Sequence, residues 1–237
     1  MCVNSVKLPE FLLVMKLLIR QYRPSDKDTV CSLFSIGVME NIGTCFRNAI
    51  TSPLYLTITL ALCVAGYLLG SVLGAVVLSG AWVGLVYYSC YELYASYRRK
   101  SLRTDMQDIP GNYLSRPDDN FWVVEAEVDG RAQIVGSVAV VAKQNGKERY
   151  GELFRMVISP SCRRAGLGSK LTKTVINFCK ERGFSKVVLK TSSPFTAAVA
   201  LYKKLGFSHI YSNTGPVAPI SIVKLARVTI LYMEKHL

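Results

Sequence analysis

The residues whose types and spacing could do chemistry lie together at Arg163, Arg164, Ala165, Gly166, Leu167, Gly168 and Ser169. Before them, Leu153, Phe154, Met156, Val157 and Ile158 predict a strand, interrupted by Arg155. Pro160 ends that strand, because a proline donates nothing to a sheet ladder. After them, Leu167, Leu171, Val175, Ile176 and Cys179 recur at helical spacing. A strand, a basic glycine-bearing turn and a helix aim free backbone N–H groups and the positive end of a helix dipole at one point. With two arginines beside it, that point should hold an anion, and phosphate suits it best. The bland alternative is a tight turn whose arginines are solvated. Neither common phosphate fingerprint is complete: there is no G-x-x-x-x-G-K-[ST], and Leu171 stands where G-x-G-x-x-G needs glycine.

The elements that must position this turn follow from patterning. Leu17 to Arg23 reads as a strand, and Pro24-Ser25-Asp26 as a turn and N-cap for a helix through Val30, Leu33, Phe34 and Val38. Phe121 to Val128 and Ile134 to Ala142 read as strands joined by an Asp129-Gly130 turn, and Asn145-Gly146 leads into the Glu152 strand. Residues 105–110 read as a polar, turn-rich link. Phe184 to Lys190 is a further strand, Ala197 to Leu205 a helix closed by Gly206, and Val228 to Glu234 a last strand. Residues 1–15 carry no small-residue cleavage site and do not read as a signal peptide.

Between the first helix and the link, residues 53–94 contain one charged side chain, Glu92. One membrane span needs about 20 apolar residues, and this run is roughly twice that. Arg47 precedes it and Arg98, Arg99, Lys100 and Arg103 follow it, so both flanks have the basic character of cytoplasmic ends. A helical hairpin fits; a single long tilted span or a re-entrant loop is the alternative. Gly66, Gly70 and Gly74, and then Gly80 and Gly84, would let such helices pack closely with each other or in an oligomer. Tyr87, Tyr88, Tyr91 and Tyr94 would form an interfacial belt. The implied organisation is residues 1–48, a membrane hairpin over 49–97, and a main domain over 98–237.

A net charge of +13, from 29 Lys+Arg against 16 Asp+Glu, could suit nucleic acid, yet no zinc-finger spacing, arginine-rich run or RNP pattern accompanies it. A membrane surface and a polyanionic ligand account for it better. The 7 cysteines are scattered, odd in number and free of C-x-x-C, which fits neither a disulfide framework nor a metal site.

The spacing R-x-x-G-x-G after a strand, with A-L-Y-K-K-L-G-F at residues 200–207, resembles the GNAT N-acetyltransferases. The opening IRQYRPSDKDTV, the apolar insertion, DMQDIP and FWVVE resemble that family's camello branch, the membrane-bound relatives of N-acetyltransferase 8. The resemblance covers residues 17–48 and 104–237. It implies an α/β fold, a mixed V-shaped GNAT sheet whose fourth and fifth strands splay around the thioester of acetyl-CoA.

By the same resemblance, the main chain of Met156, Val157 and Ile158 would pair with pantetheine. The amides of residues 164–169 would cup the pyrophosphate, with charge from Arg163 and Arg164. The family's glycine and bulky residue at this turn are exchanged at Arg164 and Ala165, which backbone roles should tolerate. Where the second motif often has asparagine stands Phe195, so a polar contact is missing or comes from Ser192, Ser193 or Thr196. Glu152 stands at the spacing of a catalytic glutamate in one branch, the alternative being a solvated strand end. Tyr202 occupies the place of the general acid, the alternative being a packed core tyrosine. Direct attack by the amine in a ternary complex is the expected mechanism.

The acceptor would be a small amphipathic amine such as a cysteine S-conjugate, because the loop read over Tyr211 to Ser221, before the final strand, lacks Asp and Glu while Lys203, Lys204, Lys224 and Arg227 are basic. Protein lysines are the alternative within the class, and a catalytically silent acyl-CoA-binding scaffold is the alternative outside it. The expected setting is an endoplasmic reticulum or ER–Golgi membrane, with the catalytic domain in the cytosol, no metal and no nucleic acid.

Overall fold

The runs read as a meander form β2 (Asn120–Val128), β3 (Arg131–Asn145) and β4 (Glu148–Ile158), each antiparallel to the one before it. The structure, a computed structural model, describes residues 17–128, 131–214 and 218–237. The reading of residues 1–15 and the Asp129-Gly130 turn therefore lie outside the described residues. A first strand, β1 (Leu17–Gln21), adds to β2. With β5 (Lys186–Ser192), β6 (Ser208–Asn213) and β7 (Ile230–His236) the sheet has seven strands in the order β1-β2-β3-β4-β5-β7-β6. Every neighbouring pair is antiparallel except β4 and β5.

Both faces of the sheet are covered, so its central strands are apolar on both sides rather than alternating. On β2, Phe121 and Val123 join one buried cluster, and Trp122, Val124 and Ala126 the other. Helices α1 (Lys27–Met39), α2 (Asn41–Ile50) and α4 (Val72–Arg103) contribute to the first cluster. Helices α6 (Leu167–Glu181) and α7 (Thr196–Lys204) contribute to the second. Asp26 stands at the start of α1, but its carboxylate takes two hydrogen bonds from Arg20 and one from the Arg23 amide instead of capping the helix.

The apolar run folds back on itself. Helix α3 (Pro53–Leu69) ends at Gly70, the chain reverses, and α4 returns along it. Of the five glycines expected to allow close packing, Gly66 and Gly74 meet across the hairpin: a Cβ on Gly66 would lie 2.4 Å from the Gly74 carbonyl oxygen. Gly70, Gly80 and Gly84 face open space. Large apolar side chains from Leu54 to Leu85 point outward along both arms. The 17 residues of α3 rise about 26 Å at ~1.5 Å each. Among the described residues, Val72–Arg103 is long and apolar enough to cross a membrane, as is Pro24–Ile50 by the same test although α1 and α2 divide it. Residues 48 and 97, the expected domain limits, both fall inside helices.

Several sequence expectations are corrected. Tyr94 does not join a belt with Tyr87, Tyr88 and Tyr91: it is buried, stacked on Phe195 with its hydroxyl 3.3 Å from Ser192 Oγ. The link over residues 105–110 is turn-rich as read, but Met106 and Ile109 within it are fully buried and α5 (Ile109–Tyr113) begins there. The segment Tyr211 to Ser221 is not one loop: it holds the end of β6 and the start of α8 (Ile220–Leu225), with residues 215–217 outside the described residues.

Arg155, read as an interruption, is a structural joint. It sits in a bulge of β4 with φ 51°, opposite the register shift between Ser137 and Ala139. Its buried guanidinium donates to Asp105 at 2.7 and 2.5 Å and to Tyr97 Oη at 2.8 Å, and the Tyr113 hydroxyl donates to the same carboxylate. Asp105→Asn would leave that guanidinium without its counter-charge, at a cost of about 3–5 kcal/mol. Burial disfavours the Asp105 carboxylate, but Arg155 more than offsets this and holds the carboxyl below the usual range. Stability from a lowered carboxyl is present above the unfolded pKa and is lost as pH falls through the folded one. Denaturant titrations should therefore show the wild-type chain weakening through that acid window. The Asn variant should be weaker at neutral pH with a flatter acid limb; parallel limbs would refute the assignment.

Candidate active site

β4 and β5 are held together for three rungs, from Gly151–Val187 to Leu153–Leu189, and then separate. Beyond Leu153, β4 keeps its partner β3 on one edge, so its other edge opens into the V. Ser159 donates to the Val135 carbonyl at 2.8 Å. Ladder alternation then turns Val157 toward β3 and the amides and carbonyls of Met156 and Ile158 into the gap. Of the three sequence-predicted residues, two thus offer main-chain groups to an extended ligand. The Ile158 carbonyl accepts from the Arg163 guanidinium at 3.2 and 3.1 Å.

The turn before α6 has the predicted geometry with one added cost. Gly166 is the N-cap with φ 76°, and no side chain caps the helix. The first-turn amides of Leu167, Gly168 and Ser169 have no intrahelical acceptor and suit an anion. Gly168 packs closely against α7: a Cβ there would lie 2.8 Å from Leu201 Cδ2, which would have to shift. Arg164 has φ 66°. That conformation is strained for any residue but glycine, so the exchange of family residues at 164 and 165 has a price in backbone strain. Arg164 is exposed and Ala165 half-buried. Arg163 is ion-paired with Glu40 at the end of α1, so its charge is shared. The open strand edge, the uncapped helix and the cradle at Gly168 fit a nucleotide-bearing thioester.

Tyr202 is buried, and its hydroxyl donates to Met156 Sδ at 3.4 Å, beside the gap. Burial raises its pKa, which keeps it a proton donor at neutral pH. Leu153 belongs to the cluster under α6, so Glu152 projects from the opposite face of β4. Glu152 is neither solvated nor isolated: its side chain is 9% exposed, and Oε1 lies 2.8 Å from Lys190 Nζ. Among the described residues no donor is aligned on that oxygen as a hydrogen bond. The splay therefore has a carboxylate on one face and a tyrosine hydroxyl on the other.

Phe195 accounts for the missing asparagine, because its ring stacks on Tyr94 of α4 at 6.0 Å. Ser192 meets that tyrosine, and Ser193 Oγ accepts from the Thr229 amide at 3.2 Å. Thr196 is exposed. Of the four cations expected around the acceptor, Arg227 lies over the Tyr55 ring of α3 at 5.3 Å. Lys203 lines a shallow pocket with Val199, His209, Leu231 and Met233 on the α7 face, away from Glu152. The cation beside Glu152 is Lys190, which sequence reading passed over as a strand residue. Its signal was two-residue spacing from Val188, the rung opposite Glu152.

The chain matches the acetyltransferase (GNAT) family over residues 87–207. N-acetyltransferase 8B of Homo sapiens is 32% identical over 201 residues, covering 80% of this chain and 83% of the relative. The probable N-acetyltransferase camello of Xenopus laevis is 31% identical over 222 residues, covering 90% and 94%. N-acetyltransferase 8 of Mus musculus is 35% identical over 193 residues, covering 80% and 83%. Among solved structures, a GNAT-family acetyltransferase from Streptococcus pneumoniae superposes with a TM-score of 0.53 at 21% identity, over 94% of this chain and 99% of that one.

Two substitutions in the turn should act in distinct ways. Gly166→Val forces a β-branched residue into a left-handed position, and titration with acetyl-CoA should show binding lost while the chain stays folded. Arg164→Gly removes left-handed strain worth about 1 kcal/mol and removes a charge. It should raise the melting temperature and weaken acetyl-CoA binding together; an unchanged affinity would show that Arg164 acts through its backbone alone.

Proposed function

We propose that this chain, which belongs to the acetyltransferase (GNAT) family in its N-acetyltransferase 8 and camello branch and is an acetyl-CoA-dependent N-acetyltransferase, acts at a membrane surface on a small amphipathic amine carrying a carboxylate, such as a cysteine S-conjugate. The observation that carries the catalytic part is the placement of Glu152 and Tyr202 on opposite faces of the splayed strand. Bound acetyl-CoA supplies a thioester carbonyl for attack by the amine.

The chain's own groups would then divide the work. Met156 and Ile158 orient the pantetheine arm by main-chain hydrogen bonds, as an added strand would be held. Arg164 and the amides from Ala165 to Ser169 hold the pyrophosphate, with a smaller contribution from Arg163, whose charge is shared with Glu40. Glu152 accepts the proton that an ammonium acceptor must lose before it can attack. Tyr202 gives a proton to the departing sulfur, and its raised pKa suits a donor. The acceptor amine and the thiolate are thus served by separate groups, which suits direct attack in a ternary complex.

The membrane part rests on the apolar hairpin. Its outward leucines and valines have no partner among the described residues, and both arms enter the catalytic body at the same end. Basic residues flank both ends. We therefore place the hairpin in an endoplasmic reticulum or ER–Golgi membrane, with the body on the cytosolic side. Residues 1–48 and 98–237 serve as the catalytic body and 49–97 as the anchor.

Two kinds of experiment test this reading. Glu152→Gln and Tyr202→Phe should each lower kcat by about 100-fold or more, and full activity in either variant would remove that residue from the mechanism. At equal concentration, S-benzylcysteine should outcompete a lysine-rich peptide for acetylation; victory for the peptide would replace the small-acceptor reading with protein lysines. In sealed microsomes, added protease should degrade tags at both termini, and protection of one would refute the hairpin.

A further inference from the structure

Lys190, Tyr232 and Tyr211 stand in register across three adjacent strands, β5, β7 and β6. Leu189 and Met233 belong to the cluster under α6, so Lys190 and Tyr232 project from the face that carries Glu152. Lys190 is the first β5 residue beyond the last rung shared with β4. Its ammonium lies 2.8 Å from the buried Glu152 carboxylate and 5.5 Å from the centre of the Tyr232 ring. The two tyrosines stack at 4.2 Å with planes 16° apart, and Tyr211 is half exposed.

This row is more than a salt bridge. The carboxylate is buried, while the Lys190 side chain is 49% exposed. The ammonium supplies the counter-charge that a buried carboxylate needs. It also leaves N–H groups directed outward at the mouth of the V, beside an aromatic shelf. A cation next to an apolar ledge is complementary to a carboxylate on an apolar body.

We infer that Lys190 with the Tyr211–Tyr232 shelf is the acceptor subsite, taking the acceptor's carboxylate on the ammonium and its apolar body on the rings. The inference rests on the proposed carboxylate-bearing acceptor and gives it a specific location. Lys190 would hold Glu152 and the acceptor together, so the amine to be deprotonated arrives beside its base. The subsite also locates the positive charge that the broader basic composition only suggested.

The test compares S-benzylcysteine with 2-(benzylthio)ethylamine, which lacks only the carboxylate, on the full chain in detergent. The wild type should prefer the acid by about tenfold or more in kcat/KM. Lys190→Met should bring that ratio close to one, Lys190→Arg should restore most of it, and Lys190→Glu should reverse it. Reversal also shows that the variant is folded. Tyr211→Ala should lower kcat/KM for S-benzylcysteine more than for S-methylcysteine. If Lys190→Met slows both acceptors equally and preserves the ratio, Lys190 acts through Glu152 and the subsite is overturned. If the wild type shows no preference for the acid, the proposed acceptor class itself fails. Glu152→Gln should slow both acceptors while leaving the ratio intact, separating the base from the subsite.

Discussion

The geometry of the site depends on a buried cation placed where the central strand must break its pairing. Arg155 lies in the bulge of β4, after the strand's last rung with β5, and is held by Asp105 and Tyr97. A buried guanidinium is tolerated only when its charge and donors are satisfied. Here the partners come from α4 and the segment just after it. Three residues earlier on the same helix, Tyr94 touches Ser192 and Phe195 at the far end of β5. One helix therefore braces both arms of the V, Tyr97 against β4 and Tyr94 against β5.

That same helix begins in the apolar hairpin, which makes the proposed anchor and the catalytic sheet mechanically continuous. A second connection runs through α8. Tyr55 of α3 donates to the Leu225 carbonyl at 3.1 Å, and Arg227 covers the same ring. Cys45 of α2 approaches the Ala226 carbonyl at 3.6 Å. The segment before the last strand thus rests on the base of the hairpin. An acceptor arriving along a membrane surface would meet this corner of the molecule first.

The electrostatics of the site come from individual placements rather than from total charge. Of the many basic side chains, Arg163 is engaged by Glu40, Arg227 by an aromatic ring and Arg155 by Asp105. Lys190 keeps a half-exposed ammonium at the splay, and Arg164 stays exposed at the uncapped end of α6. The left-handed backbone of Arg164 concentrates strain at the same turn that presents free amides. A glycine would remove the strain, but also one of the few positive charges near the expected phosphates.

The sequence by itself determined what local pattern and motif can encode. Glycines at 166 and 168, the apolar spacing of α6, the hairpin signal at Asn145-Gly146 and the long uncharged run were all readable, because turn conformation and burial leave a near-neighbour signature. Family membership was equally legible from the two motifs. Pairings between residues far apart in the chain were decided only by tertiary structure. Asp105 looked like part of a polar link until Arg155, 50 residues away, came to meet it. Lys190 looked like a strand end until the parallel pairing of β5 with β4 brought it to Glu152. Tyr94 looked like a member of an interfacial belt until α4 proved to run past the hairpin into the sheet. Periodicity tells which face of an element is apolar; it carries no information about which buried charge will find a partner across the fold.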